Sequence, residues 1–358
     1  MRQVPSPSAG TFSPSGKVTC FIAATPLCIG CSLTRKPRPT QAATQSTRTG
    51  LSGGSVQMGL TGFIGLGHMG EGMARQLQTK GHRLCVHDVR NEPVEGLVSL
   101  GAENAGSVAG VARASDVVIT MLPASADVEQ VVLGPDGVLA NGREGQLVMD
   151  MSTVDPETSD KLARELAKAG MGFVDAPVGR LASHAWAGES LFMVGASDDD
   201  FARVKPLLEA MGSTIYHCGG PGTGTRTKLV NNFLTIGLCQ MNAEVLTLSQ
   251  AFGLDLETTF GVLNGTTGTN GQLKVAYANK VLKGDTEPGF RVTLAHKDMS
   301  LICNAANAVN APVPLAASVR ESLSLAKAGG YAERDFSSAL DHWCERAGVP
   351  KARFKDAG

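Results

Sequence analysis

Three observations place this chain in the α/β class. Short apolar runs alternate with helical stretches from residue 60 to about 220, a glycine-rich turn directly follows the first run, and beyond 220 the pattern is helical without strand signals. Together they predict a doubly wound, largely parallel sheet over residues 58–220, joined to an all-helical domain over 221–358. A length of 358 residues suits two such domains, each with its own core. Forty-three glycines and only 5% aromatic residues fit tight strand-to-helix turns and close helix packing. A net charge of -1 argues against a nucleic-acid binder, which would carry a basic surface. No apolar run reaches the roughly 18 residues of a membrane helix.

Residues 1–57 read differently. They hold six basic residues (Arg2, Lys17, Arg35, Lys36, Arg38, Arg48) and no acidic one, which leaves 26 basic against 33 acidic residues, or -7, for the remainder. The stretch is rich in Ser, Thr, Pro and Gly, cannot pack a core, and is expected to be disordered. Its apolar run, Val18 to Leu33, is broken by Pro26 and precedes the basic cluster, the reverse of a secretory signal. Two readings stay open. An organelle transit peptide would make the protein mitochondrial or otherwise organellar. A start at Met58, with the preceding residues upstream sequence, would leave it cytoplasmic. Cys28-x-x-Cys31 has no second ligand pair, and the remaining cysteines show no metal spacing, so no metal site is expected.

The elements follow in order. Leu60 to Ile64 is strand-like and leads into Gly65-Leu66-Gly67-His68-Met69-Gly70, then a helical stretch from Glu71 to Thr79. A glycine pattern alone is weak evidence, but between a strand and a helix it has the context of a dinucleotide-binding turn. Gly65 allows the tight turn, Gly67 lets backbone approach a pyrophosphate, and Gly70 lets helix and strand close together. The next strand, Arg83 to His87, ends at Asp88, placed to accept the adenosine ribose hydroxyls and to disfavour a 2'-phosphate, hence NAD over NADP. Arg90 softens that preference, and a plain turn residue is the competing reading of Asp88. Further strands are expected at Asp116–Leu122, Leu147–Met151, Met171–Asp175, Leu191–Gly195 and Thr214–His217, with helices between, including 156–169 and 198–211. Ligands gather at strand carboxyl ends. Leu122-Pro123 and Ser152-Thr153 fall there, although Ser152 and Thr153 could equally cap the helix near Pro156.

After Gly222 one long helix is expected from Thr223 to Gln250, then helices near 255–264, 272–282, 291–310 and 313–328. Lys228, Asn231 and Asn232 share one face near the start of the long helix. A solvated face is the plain reading. The functional one is a cleft site, because a Lys and two amides among Leu, Val and Phe are costly to bury without partners. A partly buried Lys there is an acid/base candidate.

At this point five motifs in order resemble one family. The glycine turn, Asp150-Met151-Ser152-Thr153, Asp175-Ala176-Pro177-Val178, Lys228-Leu229-Val230-Asn231-Asn232 and Lys297-Asp298 are similar to the β-hydroxyacid dehydrogenases, which include 3-hydroxyisobutyrate dehydrogenase and share the wider fold of 6-phosphogluconate dehydrogenase. The resemblance runs from Met58 nearly to the C-terminus. Val178-Gly179-Arg180, in place of the family's usual Ser-Gly-Gly, resembles the sulfolactaldehyde reductase branch, as do Ala295-His296-Lys297-Asp298 and Asn279-Lys280-Val281-Leu282. Leu181-Ala182-Ser183-His184 departs from that branch, which has small polar residues and an Asn; His184 either replaces one donor or is a surface histidine.

The resemblance implies a Rossmann-type NAD-binding domain and hydride transfer between NADH and a short anionic aldehyde. Sulfolactaldehyde is the expected substrate. 3-Hydroxyisobutyrate or another hydroxyacid is the alternative, and a catalytically silent NAD-binding module a remote one. Lys228 would be the acid/base, with Asn232 holding its ammonium or the substrate oxygen. Ser152, Asn231 and Thr235 would contact substrate. Arg180 would anchor the anion, unless it is a surface ion-pairing residue. Gly65, Gly67, His68, Met69, Gly70, Asp88, Leu122, Pro123, Thr153 and Lys297 would contact NAD. A homodimer or homotetramer is implied, with no nucleic-acid or membrane partner.

Overall fold

A computed structural model describes residues 59–355. The expectations for residues 1–57, their three cysteines included, lie outside the described residues. From Thr61 the chain alternates as expected: β1 (Thr61–Ile64), α1 (His68–Thr79), β2 (Leu84–His87), α2 (Asn91–Val98), β3 (Glu103–Asn104), α3 (Val108–Ala114), β4 (Val117–Thr120), α4 (Ser125–Leu133), α5 (Val138–Asn141), β5 (Leu147–Asp150), α6 (Pro156–Lys168), β6 (Gly172–Asp175), β7 (Val178–Gly179), α7 (Ala182–Ala187), β8 (Ser190–Gly195), α8 (Asp198–Met211) and β9 (Gly212–Gly219). The sheet order is β3-β2-β1-β4-β5-β6-β8-β7, with β9 beside β8.

The sheet is parallel from β3 through β6 and then reverses. β8 runs antiparallel to β6 through the single pair Asp175–Gly195, and β9 follows β8 in parallel. Apolar runs reveal that a strand exists but not which way it enters the sheet, so the reversal was invisible in the sequence. Strands β3 and β7 have two residues each, too few to show alternation. Core clusters line both faces of the sheet: Phe63, Met73, Ile119 and Val194 on one, Ile64, Val118, Val148 and Leu162 on the other. A side chain such as Phe63, fully removed from water, contributes about 1.5–3 kcal/mol. Local chemistry sets the helix starts. Ser107, Asp155 and Ser197 accept backbone N–H groups at the starts of α3, α6 and α8. Asp155, rather than Ser152 or Thr153, is therefore the cap of α6.

The remaining elements are helical. The long α9 (Thr223–Ala251) is followed by α10 (Leu256–Gly265), α11 (Val292–Ala308), α12 (Pro314–Ala326) and α13 (Ala339–Ala347). They share a core that includes Leu229, Leu246, Tyr277, Met299 and Leu340. The helix expected over 272–282 forms over 271–279 with π geometry at its centre, Leu273–Tyr277, and leads into a 3-10 turn, Val281–Lys283. The extra residue per turn accompanies full burial of Tyr277, whose hydroxyl donates to the Cys239 carbonyl at 2.5 Å. α12 likewise ends at Ala326 and runs into a π turn containing Gly330, at φ 92°. No helix of the described residues is long and apolar enough to cross a membrane, and no metal-binding group occurs among them.

Candidate active site

The site is built where strand ends, the glycine turn and the starts of α9 and α11 meet. Gly65 has φ 96°, and a Cβ there would strike the Met121 carbonyl. A Cβ on Gly70 would strike the Gly65 carbonyl, so this glycine permits helix against strand. A Cβ on Gly67 would meet nothing within 4 Å. The turn therefore has open space beside its second glycine, which fits a pyrophosphate. His68 and Met69 form the first turn of α1, where backbone N–H groups and the helix dipole favour an anion.

Asp88 closes the other side of the turn. Its carboxylate accepts from the Leu66 amide at 2.6 Å and from the Arg90 amide at 2.8 Å. The Arg90 guanidinium reaches Asp88 at 3.2 Å and the Leu66 carbonyl at 2.8 Å. The expected acidic acceptor is present, and a cation stands against it. These residues fit a dinucleotide, whose nicotinamide when bound supplies the hydride chemistry.

Beyond the turn, the ends of β4 and β5 are stitched together. Ser152 Oγ donates to Asp150 at 2.6 Å and accepts from the Leu122 amide at 2.9 Å. Its hydroxyl joins two strand ends, a structural engagement that the substrate-contact reading did not foresee. Asp150 is fully buried. Its Oδ1 also accepts from Thr120 at 2.8 Å, while Oδ2 has no partner. Burial pushes its pKa up, against the pull of the Ser152 and Thr120 hydrogen bonds.

Lys297, from α11, crosses to these same strand ends. Its ammonium donates to the Thr153 carbonyl at 2.8 Å and the Pro123 carbonyl at 3.2 Å, and lies 3.2 Å from Asp298. Asp298 is 2% exposed and accepts from Asn232 at 2.7 Å. Asn231 in turn donates to Asn232 at 3.2 Å. Asn232 thus serves Asp298 instead of the Lys228 ammonium. Asp298, of the Lys297-Asp298 motif, is a functional residue for which sequence alone assigns no role. Its signal was the acidic neighbour of Lys297 inside an otherwise apolar helix.

Lys228 is half-buried and donates to the Val178 carbonyl at 2.7 Å. Loss of hydration lowers its pKa; Asp298 opposes that shift and Lys297 adds to it. Thr235 lies two turns further along α9, half-buried. An ammonium held at a carbonyl, with its pKa lowered by loss of hydration, gives up a proton more readily than an exposed lysine.

Arg180 does not join this cluster by any hydrogen bond or ion pair. Its backbone is left-handed, at φ 71°, and its guanidinium donates to the Glu189 carbonyl, Ser213 at 2.9 Å and Thr214 at 3.1 Å, along the β8–β9 side of the sheet. Ser213 and Thr214 are more than thirty residues from Arg180, so no local sequence pattern shows these acceptors. His184 is half-buried with Nδ1 lacking a partner. Leu181 packs near Gly289 of the helical part.

Residues 61–220 match the NAD-binding domain of 6-phosphogluconate dehydrogenase, and residues 222–343 match the NAD-binding region of NADP-dependent 3-hydroxyisobutyrate dehydrogenase. The chain is 39% identical to the 3-sulfolactaldehyde reductase of Escherichia coli over 292 residues, covering 82% of this chain and 98% of that protein. It is 35% identical to the mitochondrial 3-hydroxyisobutyrate dehydrogenase of mouse, covering 78% and 86%. Among solved structures, the Mycobacterium tuberculosis 3-hydroxyisobutyrate dehydrogenase with L-serine superposes with a TM-score of 0.74 at 30% identity, over 80% of this chain and 99% of that one. Both halves of the fold, and the order in which the chain runs through them, are those of one group of oxidoreductases. The chain belongs to the NAD-dependent β-hydroxyacid dehydrogenases, the family of 3-hydroxyisobutyrate dehydrogenase, which act on CH–OH donors.

Proposed function

We propose that this enzyme interconverts a short anionic aldehyde and its alcohol, with sulfolactaldehyde as the preferred aldehyde and NADH as the preferred cofactor. The observation that carries the reading is Lys228, half-buried and held at the Val178 carbonyl, on the same helix as Asn232, which joins Asp298 and Lys297 at the strand ends of the nucleotide half. Lys228 gives a proton to the carbonyl oxygen as the aldehyde is reduced and removes it in the reverse direction. Asn232 and Asp298 keep the helix faces in register, and Lys297 holds the Thr153 and Pro123 carbonyls at the nicotinamide end. Asn231 and Thr235 face the substrate from α9. Lys228 and Lys297 supply positive charge toward an anionic substrate, while Arg180 sits one step removed. Gly65, Gly67, His68, Met69, Gly70, Asp88 and Leu122 hold the dinucleotide. Asp88 favours NAD, because a 2'-phosphate would meet its carboxylate, although Arg90 moderates the exclusion.

The choice of sulfolactaldehyde is supported by the E. coli relative, matched over 98% of its length. One observation favours a second substrate: Leu181, at the substrate-side turn, is apolar and suits a methyl-bearing carboxylate such as methylmalonate semialdehyde. The deciding experiment is NADH consumption with each aldehyde. A kcat/KM at least tenfold higher for sulfolactaldehyde supports the first reading. The reverse ratio replaces it with a 3-hydroxyisobutyrate-type activity.

The enzyme also assembles with copies of itself through α9. The exposed face of that helix carries Val230, Leu234, Gly237, Met241, Val245, Leu248 and Phe252, at helical spacing, with Glu244 as its only charge in that stretch. Leu234 is 65% exposed and Leu248 53%. The order reads nearly the same in both directions about Met241. Antiparallel pairing of two copies would set Val230 against Phe252, Leu234 against Leu248, and the small Gly237 against Val245. A two-fold axis requires this self-complementarity.

A further inference from the structure

The Trp186 side chain ties the substrate-side segment 178–188 to the dinucleotide turn. The Trp186 indole N–H donates to the His68 carbonyl at 3.0 Å, inside the first turn of α1. The Arg75 guanidinium lies 5.4 Å from the centre of the indole ring, and Gln76 donates to the Trp186 carbonyl. α1 is shaped to receive it: a Cβ at Gly72 would approach the indole within 2.9 Å. Ala185, next to the Trp, is fully buried in the core of the nucleotide half. The other end of the same segment is Val178, whose carbonyl holds the Lys228 ammonium. Leu181 between them lies against Gly289 of the helical part. One short strut therefore connects the phosphate-binding turn to the proton-transferring lysine.

We propose that Trp186 is a positioning residue that couples cofactor binding to the substrate pocket. The inference rests on placing the substrate beside Lys228 and the dinucleotide at the glycine turn. An anion seated on the first turn of α1 holds the His68 carbonyl in one orientation. That carbonyl then holds the indole N–H, and with it α7 and the turn leading back to Val178. The bond is a local contact with two fixed ends, so ordering at one end is transmitted to the other. A Phe at this position keeps the ring against Gly72 and Arg75 but has no N–H to donate.

The test uses the full chain and its W186F variant. Amide hydrogen exchange is followed with and without NADH. In the parent protein, NADH protects residues 65–72 and also residues 182–188. In W186F the protection of 65–72 is retained, while the added protection of 182–188 falls about fivefold or more, a coupling at the low end of the usual range. Steady-state kinetics give a second readout: KM for the aldehyde rises about fivefold while the Kd for NADH stays within about twofold. A purely structural Trp would move the melting temperature and both constants together. Equal protection of 182–188 in the variant and the parent overturns the coupling. So does protection in the parent confined to 65–72. Absence of any protection at 65–72 would instead remove the cofactor placement on which the inference stands, and the inference with it.

Discussion

In the proposed reaction Lys228 is the acid/base, and its environment makes a directional prediction. Loss of hydration holds its pKa below the ordinary lysine value. Aldehyde reduction needs the protonated form, so its rate should fall as pH rises through that depressed pKa; oxidation of the alcohol should rise over the same interval. Replacing Lys228 by Ala should lower kcat by about 10²–10⁴-fold while the NADH Kd changes little. A pH–rate profile in both directions, together with fluorescence titration of NADH against K228A, checks this; unchanged turnover in K228A would remove Lys228 from the mechanism. The neighbouring residues show what sequence can convey at this scale. Lys228, Asn231 and Asn232 were legible because helical spacing puts them on one face. The partners of those side chains were not, since Asp298 lies 66 residues from Asn232. For the same reason the long-range partners of Ser152 and Arg180, Leu122 and Thr214, were not legible in the sequence.

At the scale of elements, a buried carboxylate joins the sheet to the start of α9. Asp175, at the end of β6, accepts from the Gly222 and Thr225 amides, each at 2.6 Å, and so fixes the start of the long helix. Burial pushes its pKa up to about 6, with those N–H groups pulling the other way. A carboxyl with a raised folded pKa binds more protons folded than unfolded between its ordinary value, 3.8, and about 6. Stability should therefore decline as pH rises through that window and level off above it. Asp150, also raised, adds to the slope with the same sign. Melting temperatures from pH 4 to 7 should show a shallower decline for D175N than for the parent, and identical slopes would mean that Asp175 titrates normally. The element boundaries that sequence placed well, such as α8 and α9, carry strong local signals: a Ser cap, an acidic first turn, a left-handed Gly222. The π turn at Leu273–Tyr277 has no such signal, because tertiary burial of Tyr277 selects it.

For the whole molecule, the apolar outer face of α9 sets the expectation. A run of large apolar side chains left exposed at helical spacing marks an interaction face, and here the inner face of α9 packs in the core that holds Leu340 and Met299 while this outer row is exposed. Replacing Met241 by Lys would put two like charges on the proposed two-fold axis. Light scattering should then report a mass reduced by half relative to the parent, with NADH affinity preserved. An unchanged mass for M241K would place the contact elsewhere on the surface.

Taken alone, the sequence determined the class of fold, the glycine turn with its acidic partner Asp88, the helical second half and the lysine on α9. All of these are local, written in residues within one or two turns of each other, where backbone geometry and periodicity act. Tertiary structure alone decided the reversal of the sheet at β8, the choice of Asp155 as cap, the Asn232–Asp298–Lys297 chain, the occupation of Arg180 by the β8–β9 side and the fastening of Trp186 to His68. Each is a pairing between groups far apart in the chain. Their distance is set by packing and by competition among donors and acceptors in the folded state, and no window of sequence contains both partners.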